Sequence, residues 1–338
     1  MRINMISESE ISVRGHGVHT AYAELTKALR ARDDCDVIVN AFGEKTNADI
    51  THIHTIGIHA LRKLFFGSGK KVVSAHVIPE SLVGSIVLAE VWLPLARVYM
   101  SFFYKKADKV LAVSSMVADA LHTRLGVPAE KIEVLYNSID TAAYRTTSDD
   151  KMQARRKLNV KKDAFVVVGN GQIQPRKRFD TFVTIARQMP DVEFIWIGGI
   201  PFKAIGADYK HMQQLIETVP ENVFVTGVIE LEDVKKYLQA ADVFLLPAEQ
   251  ENHPMAVIES ASVGLPIILR DIPEYNDTFA DDIVRCKNEK EFIGAITKLK
   301  DDKKFYELYQ KKAQAIAKRF DSKAAAEKVV TIYKELIG

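Results

Sequence analysis

Short apolar runs alternate along the chain with longer segments whose apolar positions recur every three or four residues. The short runs predict strands at Arg2–Ile6, Val37–Ala41, Ile50–His54, Lys71–His76, Lys109–Val113 and Ile132–Leu135. A second series follows at Phe165–Gly169, Val192–Ile197, Val223–Thr226, Val243–Leu246, Pro266–Leu269 and Ile283–Arg285. Several, such as KVLAV and AFVVVG, are almost continuously apolar, as parallel strands buried on both faces require. The longer segments, among them VHTAYAELTKALRAR, RFDTFVTIARQM and LEDVKKYLQAA, carry the period of amphipathic helices. Strand and helix alternating in two series predict two doubly wound α/β domains.

The series are separated by YNSIDTAAYRTTSDDKMQARRKLNVKKDA, which is polar and charged and reads as an interdomain connection with a short helix near Lys151–Leu158. The tail from Lys303 to Gly338 is helical, in pieces that part near Phe320, Asp321 and Ser322. The expected organisation is an N-terminal domain over 1–158, a C-terminal domain over 159–320 and a final helix over 321–338. Open α/β sheets bind ligands beyond the carboxyl ends of their strands, so the chemistry belongs in the strand-to-helix loops.

Composition narrows the partners. A net charge of +2 on 338 residues, without a recognition motif in any basic stretch, excludes nucleic acid. Cys35 and Cys286 have no CxxC partner and read as incidental thiols in a reducing, cytoplasmic compartment. The start MRINMISESE has no apolar run behind it, and no window reaches about 18 uninterrupted apolar residues, so neither a signal peptide nor a spanning helix is expected.

Three loops carry candidate chemistry. In SESEISVRGHGVHTAYAEL, Gly15 and Gly17 bracket His16 before a helix. This fits a plain turn, or a backbone that approaches phosphate at a helix N-terminus. In GNGQIQPRKRFDTFVTIA, Arg176, Lys177 and Arg178 open a helix, where the dipole disfavours cations. That arrangement is either a solvated basic turn or a site for an anion, with Arg as a planar fork and Lys as a point charge. In LLPAEQENHPMAVIESASVGLPII, Glu251 lies in a loop and Glu259 eight residues on, in the next helix. Pro254 suits the first turn, and Ala256, Val257, Ile258 and Ala261 form the packed side. The two carboxylates are surface groups, an acid and a base, or acceptors for the paired hydroxyls of ribose and hexose.

Taken in order, GNGQIQPRKRFD, NVFVTGVIELEDVKKYLQAADVFLLPA and the span from Glu251 to Glu259 resemble the retaining glycosyltransferases of the GT4 type. The first half is similar to them too, through the glycine-rich first loop, ADITHIHT, VVSAH, ADKVLAVSS and KIEVLYNSID. The resemblance implies the GT-B fold: two Rossmann-like doubly wound parallel-sheet domains facing a cleft, with a C-terminal helix crossing back to the N-terminal domain. It implies that the donor is a UDP-hexose, that transfer is retaining by front-face attack, and that no metal is needed. Glu259 is then expected to hold the ribose hydroxyls. Glu251 would hold those of the sugar, with the turn Asn252, His253, Pro254 and Met255. Lys177 and Arg176 would bind the diphosphate, His76 would lie near the transferred sugar, and Gly15 and Gly17 would face the diphosphate. Gln172, Thr226 and Gly227 join the donor contacts, and Asn137 and Asp140 match a hinge motif with Ser138 in place of glycine.

The sequence departs from that pattern. Gln172 replaces an arginine and Arg178 a glycine, and RDIPEYNDTF replaces a double glycine, with Glu274 the expected contact there. Asp34-Cys35-Asp36 follows a helix and precedes a strand, away from the ligand loops, and is not read as a metal site. His52 and His54 are read as structural, and His122 and His211 as surface residues.

Residues 60–109 bring eight cations against three carboxylates, interleaved with Phe65, Phe66, Trp92, Tyr99, Phe102, Phe103 and Tyr104. This is a packed helix with a charged rim, or a surface lying on an anionic membrane. The compact chain and its QIQPRKRFD loop resemble the Gram-positive diacylglycerol-glycolipid α-glycosyltransferases, whose product anchors lipoteichoic acid. That resemblance implies a monoglucosyl-diacylglycerol acceptor and a peripheral place on the inner face of the cell membrane. The competing readings are a soluble enzyme extending a polysaccharide or teichoic acid, and a nucleotide-sugar-binding protein without turnover.

Overall fold

The computed structural model describes residues 1–9, 17–43, 45–83, 89–200 and 208–338. All twelve expected strands are present, with ends shifted by at most two residues. They are β1 (Arg2–Ile6), β2 (Asp36–Val39), β3 (Ile50–Ile53), β4 (Lys70–Ala75), β5 (Lys109–Ala112), β6 (Ile132–Val134), β7 (Val166–Asn170), β8 (Glu193–Ile197), β9 (Val223–Val225), β10 (Val243–Leu246), β11 (Ile267–Arg270) and β12 (Val284–Cys286). They form two six-stranded sheets in the orders β2-β1-β3-β4-β5-β6 and β12-β11-β10-β7-β8-β9. Every pairing between these strands is parallel.

The chain divides into two compact units. The first takes in Met1–Val83, Leu88–Asp140 and Phe320–Gly338, and the second Thr141–Arg319. The N-terminal domain was expected to reach 158, but Thr141 onward belongs with the second unit. The cations of the helix Ser148–Lys157 account for this. Lys151 and Arg155 both grip the Asp242 carboxylate at 2.6 Å, and Arg155 also donates to the Ala240 carbonyl. Asp242 in turn accepts from the backbone N–H of Val166 at the start of β7. The polar stretch that resembles a linker therefore anchors the second sheet.

The first sheet is covered on both faces. One carries the helices Ile58–Phe66, Ala89–Lys106 and Ser115–Thr123, through Leu64, Phe103, Tyr104 and Leu121. The other carries Gly17–Arg30 and the last helix, Ser322–Ile337, whose Val329, Val330 and Tyr333 pack with Ile3, Met5, Tyr22 and Leu25. In the second unit, the fully buried Trp196 of β8 meets Phe179 and Phe182 edge-on, at 5.1 and 5.0 Å between ring centroids. Gly169 admits that ring, because a Cβ there would lie 2.6 Å from it.

Candidate active site

In the second sheet the strand order reverses between β7 and β10, which are neighbours. The helix after one strand and the helix after the other leave on opposite faces, so their loops part and open a crevice at the carboxyl ends. The loop after β7 carries Arg176 and Lys177, and the loop after β10 carries Glu251. The backbone ties the loops together, with Glu249 N–H donating to the Arg176 carbonyl at 2.9 Å. The loop after β8 is drawn in as well. Gly198 (φ +129°) allows this, since a Cβ there would stand 2.2 Å from the Gly171 carbonyl oxygen.

Glu251 is buried and receives two cations. Lys177 Nζ meets its Oε1, and Arg176 Nη1 reaches the same oxygen at 3.3 Å while donating to the Gln250 carbonyl at 3.1 Å. Burial pulls the Lys177 ammonium below its ordinary pKa of 10.5, with Glu251 opposing and Arg176 adding to the effect. Two cations against one carboxylate leave a positive charge that an incoming anion can take up by displacing Glu251. Arg178 does not join them. It forks onto Asp180 at 2.9 and 2.8 Å and meets Glu249. Its backbone is left-handed (φ +55°, ψ +49°), at the position where the related pattern has glycine.

Glu259 sits in the helix Met255–Val263, buried, and accepts from Asn170 Nδ2 at 3.1 Å. The sequence reading missed Asn170. Its signal was a polar residue ending the apolar strand β7. Pro254 caps the helix, and Asn252 Oδ1 accepts from Gln250 at 3.2 Å. His253 is buried in the turn and stacks on Phe279 at 5.6 Å. Burial pushes its pKa down to about 3, so it holds the turn as a neutral ring. Tyr275, also missed, is buried against Phe279. Among the described residues its hydroxyl has no hydrogen-bond partner, and it lies in the field of Glu251 and Glu274. Gln172 accepts from Gln174 at 3.0 Å. Thr226 Oγ1 accepts from Gly198 N–H and donates to the Gly227 carbonyl.

In the first unit Gly15 lies outside the described residues, and Gly17 opens the helix Gly17–Arg30. His76 follows β4, and its Nε2 lies 3.1 Å from His54 Nδ1. Asn137 and Ser138 share a small cavity with His54 and His76. Asp140 binds Lys27 at 2.9 Å, and its N–H donates to Glu24. Asp34 pairs with Arg32 and Lys334, and Asp36 with Arg2.

Of the basic-aromatic region, Phe103 and Tyr104 are core, while Ile58, Phe65 and Phe66 face solvent. So do Val91, Trp92, Leu95, Val98 and Phe102, spaced so that they line one side of the helix Ala89–Lys106. Phe65 stacks on Phe102 at 5.8 Å, with Lys106 Nζ 5.3 Å above its ring, so the two helices share one apolar surface. Among the described residues no helix is long and apolar enough to cross a membrane.

Residues 150–318 match the family described as glycosyl transferases group 1, and residues 37–143 match glycosyltransferase family 4. The chain belongs to the group 1 glycosyl transferases. This glycosyltransferase is 30% identical over 325 residues to alpha-galactosylglucosyldiacylglycerol synthase of Streptococcus pneumoniae (strain ATCC BAA-255 / R6), covering 95% of this chain and 86% of that protein. It is 24% identical to processive diacylglycerol alpha-glucosyltransferase of Acholeplasma laidlawii, over 88% of each. Its fold is that of Anabaena Alr3699/HepE, solved in complex with UDP-glucose (TM-score 0.80, 19% identity, 99% of this chain and 100% of that one). Sucrose-phosphate synthase from Thermosynechococcus elongatus shares it too (TM-score 0.80, 18% identity, 99% of each chain). The expected GT-B fold is thus the observed one.

Proposed function

We propose that this glycosyltransferase moves a hexose, galactose or glucose, from a UDP-sugar to a membrane glycolipid, monoglucosyl-diacylglycerol, with retention of configuration. The names of the relatives with which it shares most of its length support this acceptor class. The observation that carries the reading is the apolar surface on Ile58–Phe66 and Ala89–Lys106, with Phe66 82% and Trp92 58% exposed. An acceptor whose tails stay in a bilayer needs an enzyme that lies on it. Burying one such side chain contributes about 1.5–3 kcal/mol, against about 1 kcal/mol for a cation near an anionic leaflet. Apolar insertion therefore dominates, with Arg62, Lys105 and Lys106 choosing the anionic inner face.

In the second unit Lys177 and Arg176 take the diphosphate as Glu251 turns from them to hydroxyls of the hexose. Glu259, held by Asn170, takes the ribose hydroxyls, and the N–H groups of the 252–255 turn face the donor. Cleavage of the bond between the anomeric carbon and phosphate oxygen leaves its electron pair on UDP, where the two cations stabilise it. The acceptor hydroxyl attacks from the same face and its proton passes to the leaving phosphate. The two cations carry the diphosphate charge, so the reaction runs without a metal.

The test is transfer with purified protein and liposomes containing monoglucosyl-diacylglycerol, with UDP-galactose and UDP-glucose supplied separately in EDTA. A diglycosyl lipid with an α linkage is expected from one donor. Donor hydrolysis without lipid product would refute the acceptor, and product only after metal is restored would refute metal independence.

A further inference from the structure

The carboxyl ends of β3 and β4 bring His52, His54 and His76 together, and their hydrogen bonds fix where the protons sit. Tyr333, from the C-terminal helix, is buried, and its hydroxyl meets His52 Nδ1 at 2.5 Å, its one partner among the described residues. A neutral hydroxyl must place its hydrogen somewhere, so Tyr333 donates and His52 Nδ1 accepts. The His52 proton is then on Nε2, which donates to Ser74 Oγ at 2.8 Å. Burial holds His52 down to about 3, so a second proton is absent at neutral pH.

His54 lies against His52, tilted by 41° with 4.3 Å between ring centroids, stacks on His76 at 5.3 Å and meets Tyr22 edge-on at 5.4 Å, so its ring is clamped. Burial keeps His54 neutral, with one N–H to place. Its Nδ1 faces His76 Nε2 at 3.1 Å, whereas its own Nε2 is buried with no partner among the described residues. A proton on Nε2 would bury an N–H without an acceptor. A proton on Nδ1 satisfies the donor and leaves only a bare lone pair, the cheaper orphan.

We infer that His54 is a positioning residue that donates from Nδ1 to His76 Nε2, fixing His76 as the tautomer protonated at Nδ1. His76 then carries its hydrogen on Nδ1, away from His54. Its Nε2 lone pair is occupied, so it does not take the proton of an acceptor hydroxyl. That consequence rests on the proposed place of His76 beside the transferred sugar, while the tautomer itself does not.

The experiment is long-range ¹⁵N–¹H correlation on the full chain labelled at histidine, at neutral pH and without substrate, with His76→Gln to assign the signals. We expect His76 protonated at Nδ1 and His52 at Nε2. His54→Asn, whose amide N–H replaces Nδ1–H, is expected to keep the His76 pattern. His54→Leu is expected to move the His76 proton to Nε2 and to lower kcat about tenfold, the worth of one hydrogen bond, with little change in donor KM. An Nε2–H or doubly protonated His76 in the wild type would overturn the inference, as would unchanged turnover in His54→Leu. A wild type that transfers nothing to lipid would refute the proposed function and leave the tautomer result standing.

Discussion

Replacing Glu251 by alanine leaves Lys177 buried beside Arg176 with no counter-charge. The side chains of Lys177 and Glu251 are 11% and 7% exposed, so the pair counts as buried. Breaking such a pair from one side costs about 3–5 kcal/mol, and the partial exposure of Arg176 favours the lower end, about 3. With a urea slope of about 2 kcal/mol/M, the midpoint should fall by about 1.5 M. The two tryptophans make the assay selective: Trp92 is exposed in the first unit and Trp196 is in the core of the second. In a Trp92→Phe background, fluorescence reports only the unit that holds the pair.

The deficit must also depend on pH. The folded Lys177 pKa is lowered from 10.5 by burial, and removing Glu251 removes a group that raises it. The unfolded chain then binds more protons than the folded one between that depressed value and 10.5, so stability rises with pH through this window. Glu251→Ala should therefore recover stability relative to wild type as pH increases from neutrality toward 10.5, and saturating UDP should stabilise it more than wild type. An unchanged midpoint, or a deficit that is flat with pH, would refute the reasoning.

The other predictions concern ligand, backbone and membrane. Glu259→Ala should weaken UDP binding by about tenfold or more in calorimetry, while Glu251→Ala binds UDP at least as tightly as wild type and loses transfer. Equal affinity in wild type and Glu259→Ala would remove the ribose assignment. Arg178→Gly should be about 1–2 kcal/mol more stable to urea than Arg178→Ala, because both lose the ion pairs and only alanine keeps the left-handed strain. Trp92→Ser with Leu95→Ser should cut binding to anionic liposomes about 30-fold or more, two exposed apolar side chains being lost, with the unfolding midpoint hardly moved. Retained sedimentation with vesicles would place the membrane contact elsewhere.

The strands were legible because parallel strands buried on both faces must be apolar at nearly every position, and β5 and β7 show it as KVLAV and AFVVVG. The domain boundary was not, because charge patterning at Lys151 and Arg155 says nothing about the distant Asp242 that receives them. The same limit governs the site. Glu251, Glu259 and Lys177 stood out by residue type and spacing. That Arg178 turns away to Asp180 and Glu249 depends on a left-handed backbone that PRKR does not announce. Nor could pattern reveal that His52 and His54, alternating with Thr51 and Ile53 along one strand, converge on His76 and Tyr333. Those partners lie on another strand and on the last helix.

The placement of Ser322–Ile337 in the first unit has a consequence for how the chain is made. The described residues of the second unit all fall between Thr141 and Arg319, whereas the first lacks Val329, Val330 and Tyr333 until the chain beyond that unit is synthesised. N-terminal domains ordinarily fold first on the ribosome. Here that order is reversed: the second unit can close its core while one face of the first sheet still waits for its covering helix. Throughout that interval Ile3, Met5 and Leu25 are open to solvent and to other nascent chains. Loss of Ser322–Ile337 is therefore an injury to the N-terminal core, and its first symptom in a cell is dependence on chaperones.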